Sequence, residues 1–84
     1  MDKETAIVIF KMWKSNRTVD IKVPLNITAN ELVVALNTAY QLGIDTSRVQ
    51  NCYLKAENPI ALLKGNRRLR EFGIHNGTII NYTE

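Results

Sequence analysis

Two segments near the start of the chain alternate apolar and polar side chains as half-buried β-strands do. Ala6 to Trp13 is rich in β-branched and aromatic residues, and Thr18 to Val23 has an apolar residue at every second position. The segment between them, Lys14 to Arg17, is polar and predicts a turn. The pattern therefore indicates a β-hairpin.

The expected register of this hairpin gives it one apolar face. Three pairs of side chains face each other there: Met12 with Val19, Phe10 with Ile21, and Val8 with Val23. The opposite face then carries Ile7, Ile9, Lys11 and Trp13. We expect the first face to pack into a core.

The clearest local signal is the start of a helix. Thr28 and Glu31 have the spacing of a capping box, in which the threonine hydroxyl accepts from the Glu31 amide and the carboxylate accepts from the Thr28 amide. Gly43 lies where a left-handed residue commonly ends a helix. The predicted helix runs from Ala29 to Leu42, and its apolar half contains Leu32, Val33, Ala35, Leu36, Ala39, Tyr40 and Leu42.

The second half of the chain predicts shorter elements. Val49 to Lys55 indicates a third strand, Ala61 to Leu63 a short fourth one, and Thr78 to Tyr82 a closing strand. Leu69, Phe72 and Ile74 are apolar residues on a loop or a short 3₁₀ turn. Because 84 residues suffice for one core and not for two, we expect a single domain over residues 1–84.

Few residues have side chains suited to catalysis or metal binding. His75 stands beside Asn76 and Gly77, so we expect an exposed turn position, and Cys52 is expected in a core strand. The carboxylates are scattered singly, and the chain contains no glycine-rich phosphate-binding loop. We predict a protein that is not an enzyme and has no catalytic residue, cofactor or metal.

The net charge of +3 is concentrated in one segment. Its cations form the candidate basic surface: Lys64, Arg67, Arg68 and Arg70. Such a segment favours a solvated loop, and the alternative is a small regulator that contacts nucleic-acid phosphates. Aromatic residues are not interleaved among these cations for bases to stack on, so nucleic acid is the disfavoured partner.

An outer sheet face, uncovered by the helix, is the candidate protein-binding surface. The residues expected there are Ile7, Ile9, Lys11, Tyr53 and Ile79. A contiguous apolar patch on adjacent strands is typical of a site for a protein partner or a second copy of the chain. The alternative is a hairpin register that places Ile7 and Ile9 in the core.

Apolar runs in the sequence are far shorter than the ~20 residues that span a bilayer. The first five residues include acids where a secretory signal needs a basic region and an apolar one. We therefore expect no membrane insertion, no targeting peptide and a cytoplasmic location.

The order of these elements resembles the ubiquitin-like β-grasp fold over nearly the whole chain. The segment Leu69 to Ile74 resembles the turn before the final strand of that fold. Val19 to Pro24 and Phe72 to Ile79 are similar to segments of the YukD/EsaB-type proteins that accompany type VII secretion systems in Gram-positive bacteria. The resemblance implies an α+β fold, with a mixed sheet of four to five strands in the order 2-1-5-3-4 packed on one α-helix.

The same resemblance implies a cytoplasmic, non-conjugated accessory or regulatory protein. It would act by protein contacts with secretion-system components and be recruited to a membrane-bound complex. Apart from the resemblance, we expect a monomer or a weak homodimer. The chain ends in Tyr82, Thr83 and Glu84, where ubiquitin and the sulfur carriers have an activated terminal glycine. The alternative of a carrier or protein modifier is therefore disfavoured.

Overall fold

A computed structural model describes residues 4–83 of the chain. The expected lack of a targeting peptide was based on residues 1–5, of which residues 1–3 lie outside that range. Glu84, on which the argument against a carrier was based, also lies outside it. In chain order the elements are β1 (Thr5–Met12), β2 (Arg17–Pro24), α1 (Ala29–Tyr40), a first 3₁₀ helix (Thr46–Asn51), β3 (Leu54–Glu57), β4 (Ala61–Leu63), a second 3₁₀ helix (Leu69–Phe72) and β5 (Ile79–Tyr82).

The five strands form one mixed sheet in the order β2-β1-β5-β3-β4. β5 runs parallel to β1 and antiparallel to β3, while the β1–β2 and β3–β4 pairs are antiparallel. This arrangement confirms the predicted fold class and strand order. α1 covers the inner face of the sheet, and no helix among residues 4–83 covers the outer face.

The hairpin register differs from the predicted one by two residues. Phe10 is opposite Val19 and Val8 is opposite Ile21, because the turn occupies residues 13–16 and β2 already starts at Arg17. Asn16 takes a positive φ of 54° in that turn, a conformation that asparagine adopts more readily than most residues. Side chains alternate with a period of two, so the shift leaves every residue on its predicted face.

The core lies between the inner face of the sheet and one stripe of α1. Ala29, Leu32, Val33 and Leu36 are the buried residues of the helix, with the i, i+3, i+4, i+7 spacing of a single face. The sheet contributes side chains from every strand: Ala6, Val8, Phe10, Met12, Val23, Leu54, Ala56, Leu63, Ile80 and Tyr82. Within residues 4–83, no helix combines the length and apolar character needed to cross a membrane.

α1 ends earlier than predicted. Its last residue is Tyr40, and Gln41 with φ 53° is the left-handed cap that was expected at Gly43. The Asn37 side chain accepts from Ile44 N at 2.9 Å and donates to Ile44 O at 3.2 Å, which draws the chain back towards the helix. Ala35 and Ala39, predicted on the apolar half, are exposed because they lie outside the buried stripe.

The predicted strand from Val49 to Lys55 is wrong over most of its length. Thr46–Asn51 is the first 3₁₀ helix, and β3 starts only at Leu54. The Asp45 carboxylate caps this helix by accepting from Ser47 N at 3.0 Å and Ser47 Oγ at 2.7 Å, a local polar contact that competes with strand formation. Cys52 follows the helix and is half-buried, not a residue of a core strand as expected.

The capping box is present as predicted and offers a direct stability test. Glu31 N donates to Thr28 Oγ1 at 3.1 Å, and Thr28 N donates to Glu31 Oε1 at 2.8 Å. Thr28→Ala removes the first bond, so we expect the free energy of unfolding in urea to fall by about 1 kcal/mol. Glu31→Gln keeps an acceptor at the same position and should cost clearly less. Equal losses in the two variants would contradict this account.

Candidate protein-interaction surface

The outer face is the side of the sheet away from α1. Ile9 on β1 and Ile79 on β5 are direct cross-strand neighbours at its centre. Asp20 on β2 is opposite Ile9, and Glu57 on β3 is opposite Ile79. The next row along the strands contains Thr18, Lys11, Asn81, Lys55 and Leu62. Apolar side chains at the centre are thus bordered by both signs of charge.

The structure places four of the five predicted patch residues on the outer face. Ile7 is 53% exposed, while Ile9, Lys11 and Ile79 are half-buried. Tyr53 is exposed too, but it precedes β3 and lines a second groove at the end of the sheet, which adjoins the outer face at Lys55 and Asn81. The alternation of buried and accessible residues along β1 puts Ile7 and Ile9 on the outer side, opposite the core.

Three large apolar residues were missing from the predicted patch. Trp13 is 56% exposed, Leu62 is 52% exposed, and Ile60, in the turn between β3 and β4, is 91% exposed. With Ile79 they line a shallow groove of about 810 Å³ on the outer face. The predicted alternation already put Trp13 on the same face as Ile7 and Ile9, although Trp13 was left out of the predicted patch. Ile60 and Leu62 needed the register of the β3–β4 pair, which the alternation of a three-residue strand does not determine.

Asn81 on β5 connects β3 with the start of the hairpin turn after β1, under this groove. Its buried side chain accepts from Trp13 Nε1 at 2.7 Å and donates to Glu57 Oε2 at 2.9 Å and to Lys55 O at 3.2 Å. Lys11 Nζ lies 5.5 Å from the centre of the Trp13 ring, within the range of a cation–π contact. The indole and the Glu57 carboxylate are therefore held in fixed positions on an otherwise solvent-exposed face.

The groove that contains Tyr53 lies beside the first 3₁₀ helix and has a volume of about 670 Å³. Cys52 and Asp45 also line it, and the Cys52 thiol lies 3.6 Å from the Asp45 carbonyl oxygen. Hydrogen bonds from the Ser47 hydroxyl and the Ser47 amide lower the pKa of Asp45 below its ordinary value of 3.8. Among residues 4–83, no three His, Cys, Asp or Glu side chains come together as metal ligands.

The predicted basic surface is exposed, but half of its cations have acidic partners. Arg67 Nε lies 3.5 Å from Glu71 Oε1, and Arg70 Nη1 lies 3.0 Å from Glu4 Oε1. Lys64 and Arg68 are exposed and belong to no ion pair among the described residues. Local neutralisation thus lowers the positive potential that the sequence suggests.

Comparison with known proteins gives one family and one fold. A family model described as "WXG100 protein secretion system (Wss), protein YukD" matches residues 7–81. No curated protein matches the chain in sequence. The match covers all five strands, α1 and both 3₁₀ helices, apart from the first two residues of β1 and the last residue of β5.

Solved structures of ubiquitin-like domains share this fold at low sequence identity. The ubiquitin-like domain from tubulin-binding cofactor B superposes with a TM-score of 0.77 at 15% identity, covering 99% of this chain and 92% of that one. The corresponding domain of mouse tubulin-specific chaperone e gives 0.73 at 12%, covering 96% and 87%. The ubiquitin-like domain of the Mycobacterium tuberculosis type VII secretion system protein EccD1 gives 0.54 at 15%, covering 96% and 99%. These similarities establish the ubiquitin-like fold.

Removal of the Asn81 side chain tests whether it organises the outer face. Asn81→Ala leaves the Trp13 indole N–H and the Lys55 carbonyl without their partner, so we expect a loss of about 2 kcal/mol in the free energy of unfolding. The fluorescence of Trp13, the single tryptophan, should also change in the folded state. Asn66→Ala deletes an exposed amide that bonds Asn30 and should cost under about 0.5 kcal/mol. Matching losses in both variants, with unchanged emission, would refute the role of Asn81.

Titration of Asp45 tests its contact with Ser47. Because the folded-state pKa is lowered, the carboxylate contributes stability that is complete above its unfolded pKa and is lost as the pH falls through the folded pKa, below 3.8. NMR of the side-chain carboxyl should show a midpoint below 3.8 that rises in Ser47→Ala. If the midpoint is unchanged in Ser47→Ala, the Ser47 hydroxyl does not lower the pKa of Asp45.

Proposed function

The chain belongs to the YukD family of the WXG100 protein secretion system, and from that premise we propose a ubiquitin-like accessory protein that acts through protein contacts. Its partners are components of a bacterial type VII secretion system, to whose membrane-bound complex it is recruited from the cytoplasm. The role is regulatory or structural, and neither catalysis nor conjugation is part of it. The family match and the ubiquitin-like fold support the secretion role, and the contact surface is argued from the geometry of the outer face.

The observation that carries the proposal is the exposure of several large apolar side chains on the outer face. Ile7, Trp13, Ile60 and Leu62 are each more than half exposed. Ile7 lies in β1 and Trp13 directly follows that strand, while Leu62 lies in the edge strand β4 and Ile60 in the turn before it. Isolated apolar residues on a surface are ordinary, but several on one face, with an aromatic among them, are typical of a protein-binding site.

The proposed surface is also preorganised. Main-chain pairing fixes the strands beneath it, and Asn81 holds Trp13 and Glu57 in place before any partner arrives. Side chains that are already ordered lose less conformational entropy on binding. Lys55 and Glu57 carry opposite charges two residues apart on β3, so together they can fix the orientation of a bound partner. Because both signs of charge are present, the partner need not be strongly acidic or strongly basic.

A pair of acidic substitutions tests this surface. Ile7→Glu and Leu62→Glu each put a charge among the apolar contacts, so we expect each to weaken capture of secretion-system components at least tenfold. The measurement is crosslinking in the native host, followed by recovery of the protein and quantification of those components by mass spectrometry. Both side chains are about half exposed, so the fold should tolerate the change.

Val34→Glu is the matched control for this experiment. Val34 is an aliphatic residue, 41% exposed, on α1 at the other side of the molecule. The Val34→Glu variant should recover secretion-system components as well as the unsubstituted protein does, and so should Arg68→Glu on the basic surface. Loss of capture in Arg68→Glu alone would move the site to the basic surface. Failure of the unsubstituted protein to recover any secretion-system component would contradict the proposed function itself.

A further inference from the structure

β2 is an edge strand of the sheet. The main-chain groups that β2 directs away from β1 can be identified from the hydrogen bonds between β1 and β5. Ile9 N donates to Thr78 O at 2.9 Å, Trp13 N donates to Tyr82 O at 3.1 Å, and Ile7 O accepts from Gly77 N at 2.9 Å. These odd-numbered residues of β1 therefore direct their main-chain groups towards β5. Successive residues of a strand direct them to opposite sides, so the even-numbered residues of β1 face β2.

The register then fixes which groups of β2 are unpaired. Val8 and Phe10 are opposite Ile21 and Val19, so these odd-numbered residues of β2 bond to β1. Thr18, Asp20 and Lys22 direct their N–H and C=O groups away from the sheet. No strand in residues 4–83 lies beyond β2, and no described residue forms a hydrogen bond with these three. An eight-residue strand with an open edge can accept another strand.

We propose that a second copy of this chain pairs antiparallel with β2, with the two-fold axis at Ile21. This register places Asp20 opposite the second copy's Lys22, and Lys22 opposite the second copy's Asp20. Both residues direct their main-chain groups to the open edge, so each such pair exchanges two backbone hydrogen bonds beneath a pair of opposite charges. The surface is self-complementary, as a two-fold dimer requires.

Neighbouring registers lack this match. Moving the axis to Asp20 sets two aspartates opposite each other, and moving it to Lys22 sets two lysines opposite each other. Like charges directly opposite destabilise a strand pair. The alternating charges of β2 therefore select the axis at Ile21.

Pro24 fits the same register. It has no N–H, but its carbonyl lies opposite the second copy's Thr18, whose N–H is free to donate to it. On the inner side, Val19 comes to face the second copy's Val23, and Ile21 faces its own equivalent. Val19 and Ile21 are half-buried in one copy, so the pairing covers apolar surface as well as main chain. The product is a continuous sheet through two copies, with the outer faces of both still available.

Charge exchange at the edge tests the proposal. Sedimentation equilibrium over a wide concentration range should show the unsubstituted protein changing from monomer to dimer. Asp20→Lys and Lys22→Asp should each weaken dimerisation about tenfold or more, because like charges then meet twice. An equimolar mixture of the two variants should form a mixed dimer, and the double exchange Asp20→Lys/Lys22→Asp should restore self-association. Lys64→Asp, the same charge change on the loop 64–70, should leave the dimer unaffected.

Amide hydrogen exchange tests the register itself. At concentrations where the dimer predominates, the amides of Thr18, Asp20 and Lys22 should gain protection, while those of Val19 and Ile21 are protected in monomer and dimer alike. A protein that stays monomeric at millimolar concentration would overturn the proposal, as would a dimer in which these three amides exchange freely. A mixture of the two charge variants that stays monomeric would overturn it too. Loss of secretion partners in the outer-face variants with the dimer intact would show that the two surfaces are independent.

Discussion

The placement of β5 between β1 and β3 is the constraint on which the rest of the structure depends. This strand of four residues joins the β1–β2 hairpin to β3 and β4 in one sheet. Thr78, fully buried just before it, donates to Asn58 O at 2.8 Å and accepts from His75 N at 3.0 Å. A parallel partner for β1 also requires a long crossover, and the intervening chain with α1 supplies it.

Side chains of β5 alternate between the core and the outer face. Ile80 and Tyr82 point inward, and Tyr82 Oη donates to Leu42 O at 3.2 Å, which ties the end of the sheet to the segment after α1. Ile79 and Asn81 point outward and organise the outer face around the Ile9–Ile79 pair and the Trp13–Asn81 bond. The strand that completes the core thus also fixes the surface proposed for protein contacts. β2, at the edge, is separated from β5 by β1 and remains open for a different contact.

Individual elements were predictable because their strongest signals are local, whereas the strand order was expected only from the resemblance to the ubiquitin-like fold. The capping box, the alternation in β1 and β2, and the short 3₁₀ turn that contains Leu69 and Phe72 depend on residues close in sequence, and the structure has all three. The exact hairpin register was not predictable, since a shift by two residues keeps the same faces. The 3₁₀ helix after Asp45 was missed because a side-chain cap overrode the strand propensity of Val49 to Tyr53. Sequence alternation identified Ile7 and Ile9 as outer residues, but Leu62 joins Trp13 and Ile79 only through the order of β1, β5, β3 and β4.

The central claim is that the outer face is where secretion-system components bind. A photo-crosslinkable amino acid placed at Leu62, and in a parallel strain at Val34, reports contacts at those two positions in living cells of the native host. We expect crosslinks to a component of the secretion system from position 62 and none from position 34. Crosslinks to that component from position 34 alone would contradict this claim and assign the contact to the helix side of the molecule.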